Sequence, residues 1–67
     1  MKVLLNNREE VIEKDTVTVS ELLELKKLSF RMRIIKINGE FIPKESYFNT
    51  EIHQGDDVQI LYLMSGG

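Results

Sequence analysis

The sequence predicts a two-layer α+β fold, in which one helix packs diagonally across one face of a mixed sheet of four to five strands. Two turn motifs, Asn6-Asn7 and Asn38-Gly39, each have the chemistry that joins two antiparallel strands in a β-hairpin. One stretch, around residues 18–28, carries apolar residues at the helical spacing of about 3.6. A single helix covers the apolar face of such a sheet only by lying across it, so the two layers follow.

The first hairpin occupies the amino end of the chain. Residues 1–6 form an apolar run, and the second strand is expected over residues 8–13. In that strand Val11 and Ile12 lie among three glutamates, which is typical of an edge strand that charge protects from unwanted pairing. We therefore expect the first strand to be the more central of the two.

The helix has a start signal of its own. The Thr18 hydroxyl can accept a hydrogen bond from the Glu21 amide while the Glu21 carboxylate accepts one from the Thr18 amide, a reciprocal capping box. We expect the helix to end near residues 28–29, with Lys26 and Lys27 in its last turn, where positive charge suits the helix dipole. Its apolar stripe comprises Val19, Leu22 and Leu23.

The second half of the chain predicts a hairpin, a connection and a last strand. Pro43 ends the second arm of the hairpin because proline cannot donate to a ladder. Residues 45–57 are expected to form an irregular connection, and the last strand is expected over residues 58–63. Three residues of the connection are expected to pack onto the core: Tyr47, Phe48 and Ile52. In this order the elements give the β-grasp arrangement.

Composition limits the function classes. The 67 residues make one domain, residues 1–67, with no cysteine and a net charge of −2. This charge gives no reason to expect nucleic acid, and no apolar run approaches the roughly 18 residues of a membrane span. The amino end does not resemble a secretory signal, and the lack of cysteine fits a reducing compartment, so we expect a cytoplasmic protein.

The body of the chain lacks the groups that catalysis needs. No phosphate-binding glycine loop occurs, and a nucleophile would need a neighbouring base held by a third group. His53 with Asp56 and Asp57 would bind a metal only weakly, because metal sites usually need three or four converging ligands. We therefore predict neither an enzyme nor a metal site.

A basic stretch runs across the helix end and the third strand. It comprises Lys26, Lys27, Arg31, Arg33 and Lys36. A solvated face is the expected interpretation, and docking on an acidic partner is the alternative.

The last strand is apolar on both faces near its end. Alternation places Val58 and Ile60 on the face that meets the helix, and Leu61 and Leu63 on the open face, beside Leu4 of the first strand. Exposed apolar residues of this kind often mark a contact surface, so we predict that these three leucines bind a partner. The alternative is that they are isolated surface leucines.

The chain leaves this strand through a short tail, predicted to be flexible over residues 64–67. Ser65, Gly66 and Gly67 are small, and glycine lacks a Cβ, so such a backbone can enter a narrow channel. This property suits a partner that must carry out chemistry on a terminal carboxylate.

Several segments carry a resemblance to a known family: MKVLLNNRE, TVSELLE, KINGEFIPKE and QGDDVQILYLMSGG. The match covers the whole length of the chain. The chain resembles the ThiS-type sulfur carriers of thiamine biosynthesis, small β-grasp proteins of the ThiS/MoaD superfamily that are related to ubiquitin.

The resemblance implies a carrier rather than an enzyme. In such proteins an E1-like activating enzyme of the ThiF type uses ATP to adenylate the terminal glycine, here Gly67, and a persulfide donor then yields a thiocarboxylate. The loaded tail, with Gly66 and Ser65 as its approach, enters a thiazole synthase of the ThiG type and supplies the ring sulfur. The resemblance implies no cofactor on the carrier itself.

Two alternatives stay open at this point. The serine before the glycines also resembles the end of the molybdopterin synthase small subunit, a sister carrier, and other sulfur carriers or protein modifiers share this chemistry. That subunit usually has a longer chain and a proline-containing approach to its tail, neither of which occurs here. The second alternative is a β-grasp interaction module whose glycine end is incidental.

Overall fold

The protein is described by a computed structural model that covers residues 1–27 and 33–62. Five strands of this part form one sheet in the order β2-β1-β7-β4-β5, and β3 pairs with β6 in a separate small sheet. The elements in chain order are β1 (Lys2–Leu5), β2 (Arg8–Val11), β3 (Val17–Thr18), α1 (Val19–Leu25), β4 (Arg33–Ile37), β5 (Glu40–Ile42), a short 3-10 helix (Lys44–Ser46), β6 (Glu51–Ile52) and β7 (Asp57–Tyr62).

The main sheet is mixed, as predicted. Strands β1 and β2 are antiparallel, β4 is antiparallel to both β5 and β7, and β1 runs parallel to β7. Strand β2 is an edge and β1 lies inside the sheet, so both expectations for the first hairpin are confirmed. The last strand of the described chain is the central strand.

Both hairpin turns use the predicted residues. Asn6 and Asn7 have φ angles of 51° and 68°, and Asn38 and Gly39 have φ angles of 52° and 84°. Two successive positive φ angles are the mark of a type I′ turn, whose twist matches that of the strands. The chemistry of these short dipeptides therefore fixes both hairpins locally.

The capping box is present, but the helix is shorter than predicted. The Thr18 hydroxyl accepts from the Glu21 amide at 3.1 Å, and the Glu21 carboxylate accepts from the Thr18 amide at 2.8 Å. The helix ends at Leu25, so the expected end near residues 28–29 is wrong, and Lys26 and Lys27 lie beyond the last turn. Lys27 has a φ of 55°, a left-handed conformation that stops the helix.

The connection after β5 is more regular than predicted. It contains the 3-10 helix and β6, whose residues Glu51 and Ile52 pair with Thr18 and Val17. This pairing joins segments far apart in sequence, and no local pattern announces it. Strand β5 ends at Ile42, just before Pro43, as expected.

One buried cluster forms the core between the sheet and the helix. Tyr47 and Ile52 belong to it, as predicted, but Phe48 is 69% exposed, so its predicted packing is wrong. Only one of the two adjacent aromatic rings can point inward after the 3-10 helix. The cluster comprises Val3, Ile12, Val17, Val19, Leu22, Leu23, Ile35, Ile37, Ile42, Tyr47, Ile52, Val58 and Ile60.

Two strand boundaries differ slightly from prediction. Strand β2 ends at Val11 rather than at residue 13, although the Ile12 amide still donates to the Met1 carbonyl at 2.8 Å. Strand β7 begins at Asp57, and Leu63 lies outside the described residues. Within residues 1–27 and 33–62 no helix is long and apolar enough to cross a membrane.

Candidate functional site

The two faces of β7 differ as the alternation predicted. Val58 and Ile60 are 0% and 3% exposed and belong to the core, whereas Leu61 is 46% exposed on the opposite, open face of the sheet. Leu4 is also on the open face, because its neighbours Val3 and Leu5 face the core. The open face therefore presents apolar side chains that nothing in the described chain covers.

The register separates two of the predicted contact residues. Leu4 pairs with Asp57 across the parallel ladder, and Leu61 lies four residues further along β7. At about 3.3 Å per residue this is a separation of about 13 Å, so the prediction that Leu61 lies beside Leu4 is wrong. Leu63, the third predicted contact residue, lies outside the described residues.

Sequence reasoning missed two further apolar residues on the open face, one of them directly opposite Leu61. Ile34 pairs directly with Leu61 across the β4–β7 ladder, and Phe41, which is 56% exposed, pairs with Lys36 of β4. We call Ile34, Phe41 and Leu61 the open-face patch. A register count outward from the Asn38-Gly39 turn would have found it, because it places Ile35 and Ile37 inward and Ile34 and Phe41 outward.

The predicted reacting end follows directly after β7. Tyr62 is the last described residue, and Ser65, Gly66 and Gly67 lie outside the described part of the chain. Because β1 and β7 are parallel, the end of β1 and the turn at Asn6 lie at the same end of the sheet as Tyr62. Leu61 also lies at this end.

The residues considered for a metal have another structural role. The Asp56 carboxylate accepts hydrogen bonds from the His53 amide at 2.8 Å and from the Asn38 side chain at 3.1 Å, which joins two turns. Among residues 1–27 and 33–62 no three histidine, cysteine or acidic side chains form a group that could hold a metal ion. The Asp56 contacts hold two turns together and so contribute to folding.

The basic stretch does not form one face. The Lys26 Nζ lies 2.8 Å from the Glu10 Oε2. The Arg33 Cζ lies 5.7 Å from the centroid of the Tyr47 ring, on the helix side of the sheet. Lys36 lies on the open face, because successive strand residues alternate. The predicted single solvated face is therefore wrong for the described residues, and Arg31 lies outside them.

A mixed five-stranded sheet that carries one helix on one face defines the class of ubiquitin-like β-grasp proteins, and the predicted fold class is confirmed. The model of the ThiS family matches residues 2–67, which is nearly the whole chain. The chain therefore belongs to the ThiS family. The resemblance inferred from its motifs is confirmed.

Individual relatives agree with the family match. The sulfur carrier protein ThiS of Bacillus subtilis (strain 168) is 33% identical over 63 residues, which are 94% of this chain and 96% of the relative. A crystal structure of the thiamine biosynthesis protein ThiS from Geobacter metallireducens superposes with a TM-score of 0.90 at 29% identity, and both chains are fully covered. A solution structure of a thiamine biosynthesis protein from the same organism superposes with a TM-score of 0.80 at 28% identity. The superposition covers all of this chain and 88% of that chain.

Proposed function

We propose that this protein carries sulfur for the formation of the thiazole ring of thiamine, as a thiocarboxylate on Gly67. The observation that supports this most is the family match, which extends through Gly66 and Gly67 to residue 67. The Bacillus subtilis relative bears the name of a sulfur carrier, and the two related structures bear names from thiamine biosynthesis. In this proposal the chain is a carrier and a co-substrate of other enzymes, not an enzyme.

The chemistry starts from an unreactive group. A carboxylate is an anion with a poor leaving group, so an E1-like activating enzyme of the ThiF type first joins the Gly67 carboxylate to AMP, with pyrophosphate leaving. The outer sulfur of a persulfide donor then attacks the acyl adenylate, and AMP leaves. A second thiol, on the donor or on the activating enzyme, cleaves the S–S bond of the resulting acyl disulfide, which releases the Gly67 thiocarboxylate and leaves a disulfide. ATP binds to the activating enzyme, so the carrier needs no cofactor of its own.

The product is suited to delivery. A thiocarboxylate is ionised at neutral pH and its sulfur is a good nucleophile. The tail, residues 64–67, would place this sulfur inside a thiazole synthase of the ThiG type at high local concentration. Glycines at the end allow the backbone to pass a narrow channel. We expect this cycle in the cytoplasm, because thiol and persulfide chemistry needs a reducing compartment.

The open face would carry recognition. The open-face patch lies at the end of the sheet from which the tail departs, with Lys36 and Gln59 next to its apolar side chains. An apolar centre with a polar surround is the usual composition of a protein interface. We extend the predicted contact set of Leu4, Leu61 and Leu63 by Ile34 and Phe41.

Mass spectrometry tests the reacting end. The protein is incubated with candidate activating enzymes, ATP and a persulfide donor, and replacement of one terminal oxygen by sulfur is the expected result. Removing Gly67, or adding one residue after it, should abolish loading, whereas the control Ser65→Ala should still be loaded. Loading of the shortened chain, or no loading of the wild type by activating enzymes of either the thiamine or the molybdopterin pathway, would contradict the proposal.

A charge placed on the open face tests recognition. Leu61→Asp should weaken binding to the activating enzyme about tenfold or more, because a buried apolar contact becomes a desolvated charge. The matched control is Val11→Asp, which changes another exposed apolar residue, on the edge strand at the far end of the sheet. Equal affinities of the two variants, measured by calorimetry, would place the docking surface elsewhere.

A further inference from the structure

We propose that Asn6 is a positioning residue for the tail: its side-chain amide holds β7 at Ile60 and so fixes where the tail begins. This inference rests on the proposed function, because it concerns how the reacting end is presented. It assigns a task to a turn residue that lies outside both the tail and the open-face patch.

The need for such a residue follows from the sheet. In the parallel pairing of β1 with β7, Leu4 is the partner of Asp57 and Leu5 is the partner of Val58. Strand β1 ends at Leu5. Strand β7 continues to Tyr62, and within residues 1–27 and 33–62 its strand pairing from Gln59 onward is with β4 alone. The segment next to the tail is thus held by a neighbouring strand on one side only.

Asn6 supplies contacts on the other side. Its backbone amide donates to the Val58 carbonyl at 2.9 Å. Its side-chain oxygen accepts from the Ile60 amide at 2.7 Å, and its side-chain nitrogen donates to the Ile60 carbonyl at 3.3 Å. The carboxamide therefore satisfies both backbone polar groups of Ile60, as a further residue of β1 would have done.

The turn makes this geometry accessible. Asn6 has a φ of 51°, so the chain turns away from β7 at this residue and the side chain reaches across in place of the backbone. Asparagine tolerates the left-handed conformation and carries both a donor and an acceptor on one short arm. Asn7 shares the left-handed conformation, with a φ of 68°, but makes no such contact among the described residues.

The hold at Ile60 matters for delivery of the reacting end. Ile60 precedes Gly67 by only seven residues in the sequence. A looser strand end lengthens the segment that must be ordered when a partner grips the tail, which lowers the effective concentration of the carboxylate. The free-energy cost of ordering this segment weakens binding of the tail but does not change the reaction in the bound complex. We therefore expect KM to rise while kcat stays the same.

Two glycine variants separate the amide from the turn. Asn6→Gly and Asn7→Gly each remove an asparagine side chain at a left-handed position, where glycine has no Cβ penalty. Only Asn6→Gly removes the contacts to Ile60. We expect Asn6→Gly to raise the KM of thiocarboxylate formation about two- to fivefold at unchanged kcat, and Asn7→Gly to keep the wild-type values.

Hydrogen exchange and a second variant complete the experiment. The Ile60 amide should exchange faster in Asn6→Gly than in Asn7→Gly, at a temperature where both are folded. If Asn6→Gly does not fold, Asn6→Asp takes its place, because aspartate still accepts from the Ile60 amide but cannot donate to its carbonyl; its KM should lie above that of the wild type.

The outcomes separate this proposal from the proposed function. A wild-type chain that no activating enzyme loads overturns both. Normal loading of the wild type together with a wild-type KM for Asn6→Gly, or for Asn6→Asp where that variant replaces it, overturns the positioning role alone. Equal increases in KM for Asn6→Gly and Asn7→Gly would assign the effect to the turn and also overturn it.

Discussion

The two ends of β7 are held in different ways. At its start Asp57 and Val58 lie between β1 and β4, and the Asp57 amide also donates to the Asn38 side chain at 2.9 Å. At its end Leu61 and Tyr62 pair with β4, and the support from the β1 side comes through the Asn6 side chain at Ile60.

One strand can in this way serve two purposes. The start of β7 completes the sheet and belongs to the stability of the domain. The end of β7 is attached to the domain and, in the proposed function, leads into a tail that other proteins bind. Substitutions at the start should therefore act on folding, whereas substitutions around Asn6 should act on partner kinetics.

The largest expected effect tests whether packing differs between the two faces of β7 at its end. Ile60→Ala should lower the free energy of unfolding by about 2–4 kcal/mol, because Ile60 is 3% exposed and its loss leaves a cavity. A single core of this size supplies only about 3–5 kcal/mol in total, so the variant should be close to unfolding. Urea denaturation measures the loss. Leu61→Ala, on the open face, should cost less than about 1 kcal/mol, and equal costs would contradict the two-faced description of β7.

A smaller effect is expected from the turns at the start of β7. Asp56→Ala removes the carboxylate that accepts from the His53 amide and the Asn38 side chain. We expect a loss of about 1–2 kcal/mol and faster hydrogen exchange of the Asp57 amide, with loading kinetics unchanged. Glu13→Ala removes an exposed carboxylate with no hydrogen bond among the described residues and serves as the control. A raised KM in Asp56→Ala would contradict the expectation that substitutions at the start of β7 act on folding alone.

The helix cap provides a reference outside β7. Thr18→Ala should cost about 1 kcal/mol, because it removes the acceptor for the Glu21 amide. Thr16→Ala, at an exposed threonine two residues earlier, should change stability little. Exchange rates at the two ends of β7 should keep their ratio in both variants. A selective effect of Thr18→Ala on the end near Asn6 would show that the helix also sets the position of the tail.

The smallest effect concerns acid. The hydrogen bond from the Thr18 amide, together with the Thr18 side chain, holds the pKa of the Glu21 carboxyl below its ordinary value. The ionised form therefore favours the fold, and this contribution is present above the ordinary pKa and is lost as the pH falls through the lowered one. Wild type should exceed Glu21→Gln in urea midpoint near pH 7, and the difference should shrink by about pH 3. If the difference in urea midpoint between wild type and Glu21→Gln grew as the pH fell, the ionised Glu21 carboxylate would not favour the fold as proposed.

Local chemistry made much of the fold predictable. The two turns, the capping box and the stop at Pro43 each depend on residues within a few positions of one another, and the structure has all of them. The alternation of Ile60 and Leu61 likewise needs only the period of a strand. The helix end was not predicted correctly, because lysine has no preference for the left-handed backbone conformation that Lys27 adopts.

Features that depend on closure of the fold were not predictable in this way. The pairing of β3 with β6 and the register of Leu4 on β7 are set by where distant segments meet. The exposed Phe48 and the buried Tyr47 are neighbours of similar character, and only the 3-10 helix decides between them. The proposed reacting end, in contrast, depends on motifs and on the two last glycines.

The central position of β7 has a consequence for synthesis. Every other described element is translated before β7, yet β7 is the strand that joins the β1–β2 hairpin to the β4–β5 hairpin. Neither hairpin is expected to be stable alone in water. The domain therefore cannot fold before β7 has been translated, and an incomplete product ending before residue 57 would lack the strand that joins the two hairpins.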